Sequence, residues 1–334
     1  MNETRGWGQL FMDDWAALRS AIGRLISASP EQVAITLSTA HGLSLLAAGL
    51  NWRNGDNIVG VNREYPTNLL PWMALERLGV QLRLVDPVDG RVPAEAVLGA
   101  IDSSTRAVAI SHVQFWNGYR VDVARIGEEC RRRGVILAVD GAQSAGAIRV
   151  DVAAMSIDLF ATTAYKWLLG PPGVGFCFVD ANLVNQLIPA MVGPGSVANP
   201  TVFDPVLEYA HTAQRFEEGA VSWMNVAAFL GSISLLEEVG KEAIEKQLLT
   251  LTEYVGHALE DAGFEIAPPW PRRPEESSGI LAFRKTGTTL EELTERLEAA
   301  KITGRVRGDF LRISPHFYNT ELEMQRVVST LTKE

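Results

Sequence analysis

Cysteine is scarce in this chain, with only Cys130 and Cys177 among 334 residues. Two thiols cannot build a disulfide framework, so a cystine-stapled secreted scaffold is excluded and a reducing compartment is expected. Long apolar runs are missing too. Gly, Pro or a charge breaks every stretch well short of the ~18 apolar residues a membrane helix needs. The opening MNETRGWGQL has neither a basic n-region nor an apolar h-region, so it does not read as a signal peptide. The expectation is a cytoplasmic protein with no membrane contact. Positive charge is in deficit, 30 Lys and Arg against 40 Asp and Glu. Nucleic acid needs a basic face and is not an expected partner, although a local basic pocket for an anionic ligand stays open. The run Arg131, Arg132, Arg133 suits the solvated end of a helix, where cations complement the dipole. The glycine fingerprint of dinucleotide binding is absent, since the turn after the first strand reads LSTAHG. No internal repeat or low-complexity segment occurs.

What the chain does have is a regular alternation of short apolar strands and helices. Residues 11 to 28 carry Phe11, Trp15, Leu18, Ile22, Leu25 and Ile26 at helical spacing, and Pro30 ends the run. Strands are expected at 33 to 37, 58 to 61, 80 to 85, 107 to 111, 135 to 140, 158 to 163 and 173 to 179. Helices fall between most of them, including one through Leu78, one over 93 to 100 and one over 122 to 133. Strands without polar alternation read as a largely parallel sheet covered on both faces, an α/β architecture. A chain this long exceeds one compact core, so two domains are expected. A large domain over 1–220 is followed by a helical connector and a small C-terminal α+β domain over 221–334. The N-terminal helix is a candidate to pack on the small domain.

Ligands of such sheets bind at the carboxyl ends of the strands. Ser38, Thr39, Glu64, Tyr65, His112, Asp140, Gln143, Thr163, Tyr165 and Lys166 are all expected on that rim. Asp140 ends an apolar strand, where a carboxylate is costly unless paired or exposed. Lys166 follows a second apolar strand and precedes a Gly/Pro loop. A partly buried lysine there suits covalent carbonyl chemistry. Pyridoxal 5'-phosphate needs a Schiff-base lysine, an acid at the pyridine nitrogen, phosphate donors and a ring platform. Lys166 and Asp140 suit the first two. Gln143 suits the ring hydroxyl, and the helix start at Ser38 to His41 suits a dianionic phosphate. Thr163 and Tyr165 add hydroxyls.

The motifs VDGAQSAGAIRVDV, AYKWLLGPPGVGF, EYPTNLLPW, RFEEG and RISPHFYNT carry a resemblance to the class V aminotransferase family. That family includes cysteine desulfurases, selenocysteine lyases, kynureninases and isopenicillin N epimerase-like proteins, and the resemblance runs over roughly residues 15 to 330. It implies the type I PLP-dependent transferase fold, usually a homodimer with active sites near the interface. It also implies Lys166 as the imine lysine, Asp140 as the pyridine partner and Gln143 as the ring-hydroxyl donor. Thr39 and Ala40 match the phosphate turn, and Thr163 and Tyr165 match the phosphate-binding residues beside the lysine. His112 matches the stacking histidine of desulfurases, Tyr65 the stacking aromatic of kynureninases, and Arg312 the arginine for the substrate carboxylate, a bidentate fork. Asp309 is the alternative partner for Arg312.

Departures from the family pattern bear on the reaction. KITGRVRGDFLRIS has no cysteine where desulfurases carry a nucleophilic one, and Cys177 lies in an apolar strand. Ala220 stands where many relatives have a threonine that reaches the partner subunit's phosphate. The chain starts close to the helix at residue 11, where relatives have an arm, which implies a trimmed substrate pocket. Trp72 and Trp167 suit packing, whereas Trp116 and Trp223 are candidates for the substrate entrance. The expected function is a PLP enzyme on a small α-amino acid, aminotransferase-like or β-lyase-type, working through a quinonoid. Kynureninase-like or cysteine and selenocysteine lyases, racemases or epimerases, and a catalytically silent partner protein are the alternatives.

Overall fold

Strands β1 (Val33–Thr36), β2 (Asn57–Val61), β6 (Leu159–Thr163) and β7 (Gly175–Val179) are buried at every position. That is why their sequences lack polar alternation: helices cover both faces. They form one seven-stranded sheet with β3 (Gln81–Val85), β4 (Thr105–Ser111) and β5 (Ile136–Asp140), in the order β1-β7-β6-β5-β4-β2-β3. Strands β3, β2, β4, β5 and β6 run parallel. Strand β7 is antiparallel to both neighbours, which leaves β1 pointing the same way as β6. The expected mainly parallel sheet is therefore present, with one reversed strand. The computed structural model describes residues 7–199, 206–219 and 221–333, with side chains from residue 11 onward. Ala220 lies outside the described residues.

Strand β3 departs from the covered-strand expectation. It is the sheet's edge, largely exposed, and its QLRLV pattern is that of a strand with one wet side. The helix expected through Leu78 shortens to Leu70–Met73 and continues as a tighter turn over Ala74–Leu78. Gly79 closes it at φ +75°, a left-handed cap that glycine tolerates.

A second, antiparallel sheet follows, built from β8 (Glu265–Ile266), β9 (Leu281–Arg284), β10 (Arg305–Arg307) and β11 (Phe310–Ile313). Strands β8 and β10 were not expected, being only two and three residues long. Helices Lys241–Asp261, Leu290–Ala299 and Glu321–Thr332 cover this sheet with Leu251, Val255, Leu293, Leu297, Val327 and Leu331. Helix Trp223–Val239 buries Val226, Phe229, Ile233 and Leu236 in the core of the large sheet, beside Leu18 and Ile22 of helix Trp7–Ile26. Among the described residues no helix is long and apolar enough to cross a membrane.

Two contacts fix the rim of the sheet. Helix Thr39–Gly49 lies so close to β6 that a Cβ on Gly42 would meet the Ala161 Cβ at 2.6 Å. Glycine at that position lets the helix start sit at the carboxyl ends of β1 and β6. The second contact is the buried pair Arg19–Glu217, 2.6 Å apart. Glu217, in the RFEEG segment, also accepts from the Ile35 N–H of β1 at 2.8 Å. One carboxylate thus ties the N-terminal helix to the strand that delivers the Ser38 turn. Removing the arginine strands a buried charge, so Arg19→Ala is expected to cost about 3 kcal/mol in chemical denaturation. A loss within about 0.5 kcal/mol of zero, the usual range for a surface substitution, would rule out this structural role.

Candidate active site

Strand register brings the chemistry together. Ser111 at the end of β4 pairs with Asp140 at the end of β5, and Asp140 pairs with Ala161 of β6. Neighbouring strands lie ~4.8 Å apart, so His112, Asp140 and the turn beyond Thr163 share one rim. The His112 N–H donates to the Asp140 carbonyl at 3.0 Å. Between β2 and β4 the chain reverses its direction of travel across the sheet, the crevice where open α/β sheets bind ligands. Glu64 and Tyr65 leave β2 there, facing the loop after β4.

Asp140 is buried and receives one hydrogen bond, from the Ala142 N–H at 2.8 Å. Burial pushes its carboxyl upward, against the pull of that N–H and of the Lys166 charge. Lys166 shows the complementary effect. Burial lowers its ammonium, Asp140 opposes the shift, and the Arg312 and Arg307 charges add to it. Its Nζ lies 5.5 Å from the Tyr65 ring centroid. The turn that carries it closes through the Leu169 N–H to the Lys166 carbonyl, with Leu169 itself in the left-handed region at φ +56°. A non-glycine residue there costs of order 1–3 kcal/mol and persists only where its surroundings enforce it.

The helix start at Ser38 leaves donors free. Ser38 Oγ accepts from the His41 N–H at 3.2 Å, and the Thr39 and Ala40 amides come too early in the helix for an intrahelical acceptor. Uncommitted amides at a helix N-terminus suit a phosphate. Buried side-chain atoms without a partner cluster on the same rim: His41 Nε2, Asn68 Nδ2, His112 Nδ1, Gln114 Oε1, Trp116 Nε1, Thr163 Oγ1 and Arg312 Nε. Buried polar groups are ordinarily hydrogen-bonded, so a concentration of unpartnered ones marks a place built for a polar ligand. A buried carboxylate, a desolvated amine, phosphate donors at a free helix start and an unpartnered threonine hydroxyl, and the buried ring of His112 match the four requirements of pyridoxal phosphate, so the residues present fit it.

The remaining candidates divide. His112 is fully buried, and burial together with the Arg120 charge pushes its imidazolium down to about 3, so the ring is neutral. Gln143 has its carbonyl oxygen committed to Trp167 Nε1 at 3.0 Å, leaving the amide N–H groups for a ligand. Tyr65 packs edge-on to Phe115 at 5.2 Å. Tyr165 is 55% exposed and projects more to solvent than to the cavity. Arg312, from the second sheet, reaches the Phe115 carbonyl with Nη1 at 2.5 Å. No carboxylate among the described residues lies within ion-pair distance of it, so the alternative pairing with Asp309 does not form. Trp116 borders a cavity beside the site, whereas Trp223 donates to Asp14 at 2.7 Å on the N-terminal helix.

Glu64 is the residue whose importance the sequence understates. It is buried and accepts from the Ser111 N–H at 2.7 Å and from Gln114 Nε2 at 3.0 Å, while Ser111 Oγ donates to its other oxygen. These bonds bracket His112 from both sides. Burial raises the carboxyl from an ordinary 4.5 to about 7, and the Asp140 charge contributes to the rise. The available signal was the repeated polar spacing of EYPTN and SHVQ, which acquires meaning only when β2 and β4 are neighbours.

A family model described as aminotransferase class V matches residues 2–327. A probable cysteine desulfurase of Methanothermobacter thermautotrophicus is 31% identical, over 94% of this chain and 82% of the relative. The isopenicillin N epimerase of Streptomyces clavuligerus is 30% identical, over 95% of this chain and 83% of the relative. Among solved structures, the apo cysteine desulfurase of Thermococcus onnurineus superposes with a TM-score of 0.90 at 23% identity, covering 99% of this chain and 86% of that one. A cystine C-S lyase in complex with cysteine persulfide superposes equally well at 24% identity, covering 97% and 87%. At such identities the structural likeness concerns the fold.

Because the folded-state value of Glu64 lies above its ordinary one, its contribution to stability is full below about pH 4.5 and is lost as pH rises through about 7. Comparing Glu64→Gln with wild type by denaturant titration isolates this effect. Wild type is expected to lose about 3 kcal/mol more than the variant between about pH 4.5 and pH 8. Parallel pH profiles would show that Glu64 carries no such shift.

Proposed function

The chain belongs to the class V aminotransferase family of PLP-dependent enzymes, and from that premise we propose that it acts on a small α-amino acid, with Lys166 as the residue that holds the cofactor covalently. The observation that carries this reading is that a buried carboxylate, Asp140, and a half-buried amine, Lys166, lie at or just beyond adjacent strand ends within electrostatic reach of each other. Pyridoxal phosphate, when bound, supplies an aldehyde that takes up amines and a ring that accepts electron density from Cα. The protein's own groups do the rest. Asp140 holds a proton at the pyridine nitrogen, an arrangement favoured because a buried carboxylate gains most from an adjacent cation. Thr39, Ala40 and Thr163 direct N–H and O–H donors at the phosphate, and Tyr165 stands at the margin of that cradle. Gln143 donates its free amide N–H to the ring hydroxyl.

His112, buried and neutral, serves as the ring platform, and Tyr65 packs on the lysine side. Arg312 orients the substrate by its carboxylate, using the Nε that has no partner in the protein and leaving Nη1 on Phe115. Lys166, which would hold the cofactor in the resting enzyme, would move the Cα proton of the bound substrate. Its lowered proton affinity keeps a larger share of it neutral for that task. An aminotransferase-like outcome would follow if that proton were returned on the cofactor side, and a β-lyase-type outcome if a leaving group departed from the substrate's β-carbon.

Sulfur relay through a thiolate of this chain is not part of the proposal. Both cysteines are fully buried, Cys130 pushed up to about 12 and Cys177 higher still, so neither offers a nucleophile. A homodimer is part of it. Leu37, Tyr65, Leu70, Met73 and Tyr165 are exposed on the segments that follow β1, β2 and β6, an apolar fringe suited to a second copy. Light scattering is expected to return twice the chain mass, and a monomer at micromolar concentration would contradict it.

The covalent assignment is tested with Lys166→Ala. Borohydride is expected to fix the cofactor permanently on wild type and not on the variant, and turnover is expected to fall by about 10^3-fold. Undiminished turnover of Lys166→Ala would end the reading.

A further inference from the structure

A cavity of about 230 Å³ opens beside the site, lined by Arg63, Glu64, Phe115, Trp116, Arg307 and Asp309. It adjoins the proposed substrate position through Phe115. The carbonyl of that residue holds Arg312, and its ring meets Tyr65, whose face lies under Lys166 Nζ. We propose that this cavity selects an α-amino acid whose side chain ends in a second anionic group, with Arg307 and Arg63 as the specificity-determining residues. This rests on the reading in which Arg312 holds the α-carboxylate.

The case is one of uncompensated charge. Several arginines elsewhere are paired, Arg19, Arg24, Arg91, Arg120 and Arg149 each meeting a carboxylate within 3 Å, and others such as Arg215 and Arg272 are held by backbone carbonyls. Arg63, which is exposed, and Arg307, which is half-buried, line the cavity with no carboxylate within 4 Å among the described residues, and Arg312, likewise without one, adjoins it through the Phe115 carbonyl. The Arg307 charge reaches both Arg312 and Lys166, and lowers the proton affinity of each. Its Nη1 donates only to the Val306 carbonyl, a neutral acceptor. Arg63 lies over the Trp116 ring at 5.1 Å, and the buried indole N–H of Trp116 has no acceptor. The backbone of Arg63 is held left-handed at φ +68°, its N–H on Asn62 Oδ1 at 2.9 Å, a conformation a non-glycine residue adopts at a cost.

The two acids of the cavity do not cancel these cations. Glu64 points its oxygens at Ser111 and Gln114 rather than at an arginine, and burial raises its carboxyl to about 7, so much of it is protonated near neutrality. Asp309 is exposed, and its charge acts on Arg284, which already pairs with Glu265. A guanidinium fork matches a carboxylate or sulfinate bidentately, and an aromatic wall beside it accommodates the intervening methylenes. A neutral side chain of the same shape would leave both guanidiniums without a counter-ion.

The test is a titration of the PLP-loaded enzyme, read by the change in cofactor absorbance and by calorimetry. L-aspartate, L-glutamate and L-cysteine sulfinate are compared with L-asparagine, L-glutamine and L-alanine. At least one acid is expected to bind tenfold or more tightly than its amide, with the preference shrinking as salt is added. In Arg307→Gln and Arg63→Gln the acid-to-amide ratio is expected to fall at least tenfold in the double variant. The ratio is taken within each protein, so a partial loss of folded enzyme cancels. Equal affinity for acid and amide, a ratio unchanged in the double variant, or a response to neutral amino acids alone would overturn the proposal while leaving the role of Lys166 intact. Failure of borohydride to fix the cofactor at Lys166 would instead remove the reading beneath it.

Discussion

A buried carboxylate and a half-buried amine at or just beyond neighbouring strand ends constrain everything around them. Asp140 is buried and Lys166 half-buried; the Ala142 N–H and then the Lys166 charge ease the carboxylate's burial, and the Asp140 charge opposes the lowering of the amine. Placing them so requires β5 and β6 to be adjacent, parallel and in register, with a turn after Thr163 that brings the lysine back over the rim. The left-handed Leu169 and the close approach of helix Thr39–Gly49 at Gly42 are local costs of that placement. Their stability comes from the apolar faces behind them, where Phe160, Phe176 and Leu168 are almost fully buried.

The rim is assembled from distant parts of the chain. The N-terminal helix reaches it through Arg19 and Glu217, which grip β1. The second sheet reaches it through Arg312 and through His316, whose Nε2 lies 3.2 Å from the Trp167 carbonyl just after the lysine. Trp167 in turn holds Gln143. A movement of the small sheet would therefore be felt both at Arg312 and at the lysine turn, which couples the substrate carboxylate of the proposed function to the position of the reactive amine.

Relatives named as desulfurases and an epimerase share this framework at about 30% identity, so the framework alone does not choose the reaction. What differs here is local. The chain's thiols are sealed in a helix and a strand, and the loop between β10 and β11 carries Gly308 and Asp309 between guanidiniums rather than a nucleophile. In the proposed function, a cavity lined by Arg63 and Arg307 next to a lysine of lowered proton affinity bears on substrate choice more than on proton transfer.

The amino-acid sequence determined the alternation of apolar strands and helices, the mainly parallel sheet, the family, and the rim residues that follow each strand, because burial on both faces and strand-end placement leave local patterns. It left the reversal of β7 unread, since a buried strand has the same composition in either direction. It missed β8 and β10, which are too short to show a period, and the exposed edge of β3, which depends on having no neighbour. Only the tertiary structure decided that Glu64 spans Ser111 and Gln114, that Gln143 shares its amide with Trp167, and that Arg63 and Arg307 line one cavity without an ion-pair partner among the described residues. Those relations join residues from about 20 to 250 positions apart, and a charge or hydrogen bond acquires its energy from distance in space, which a linear order of residues does not contain.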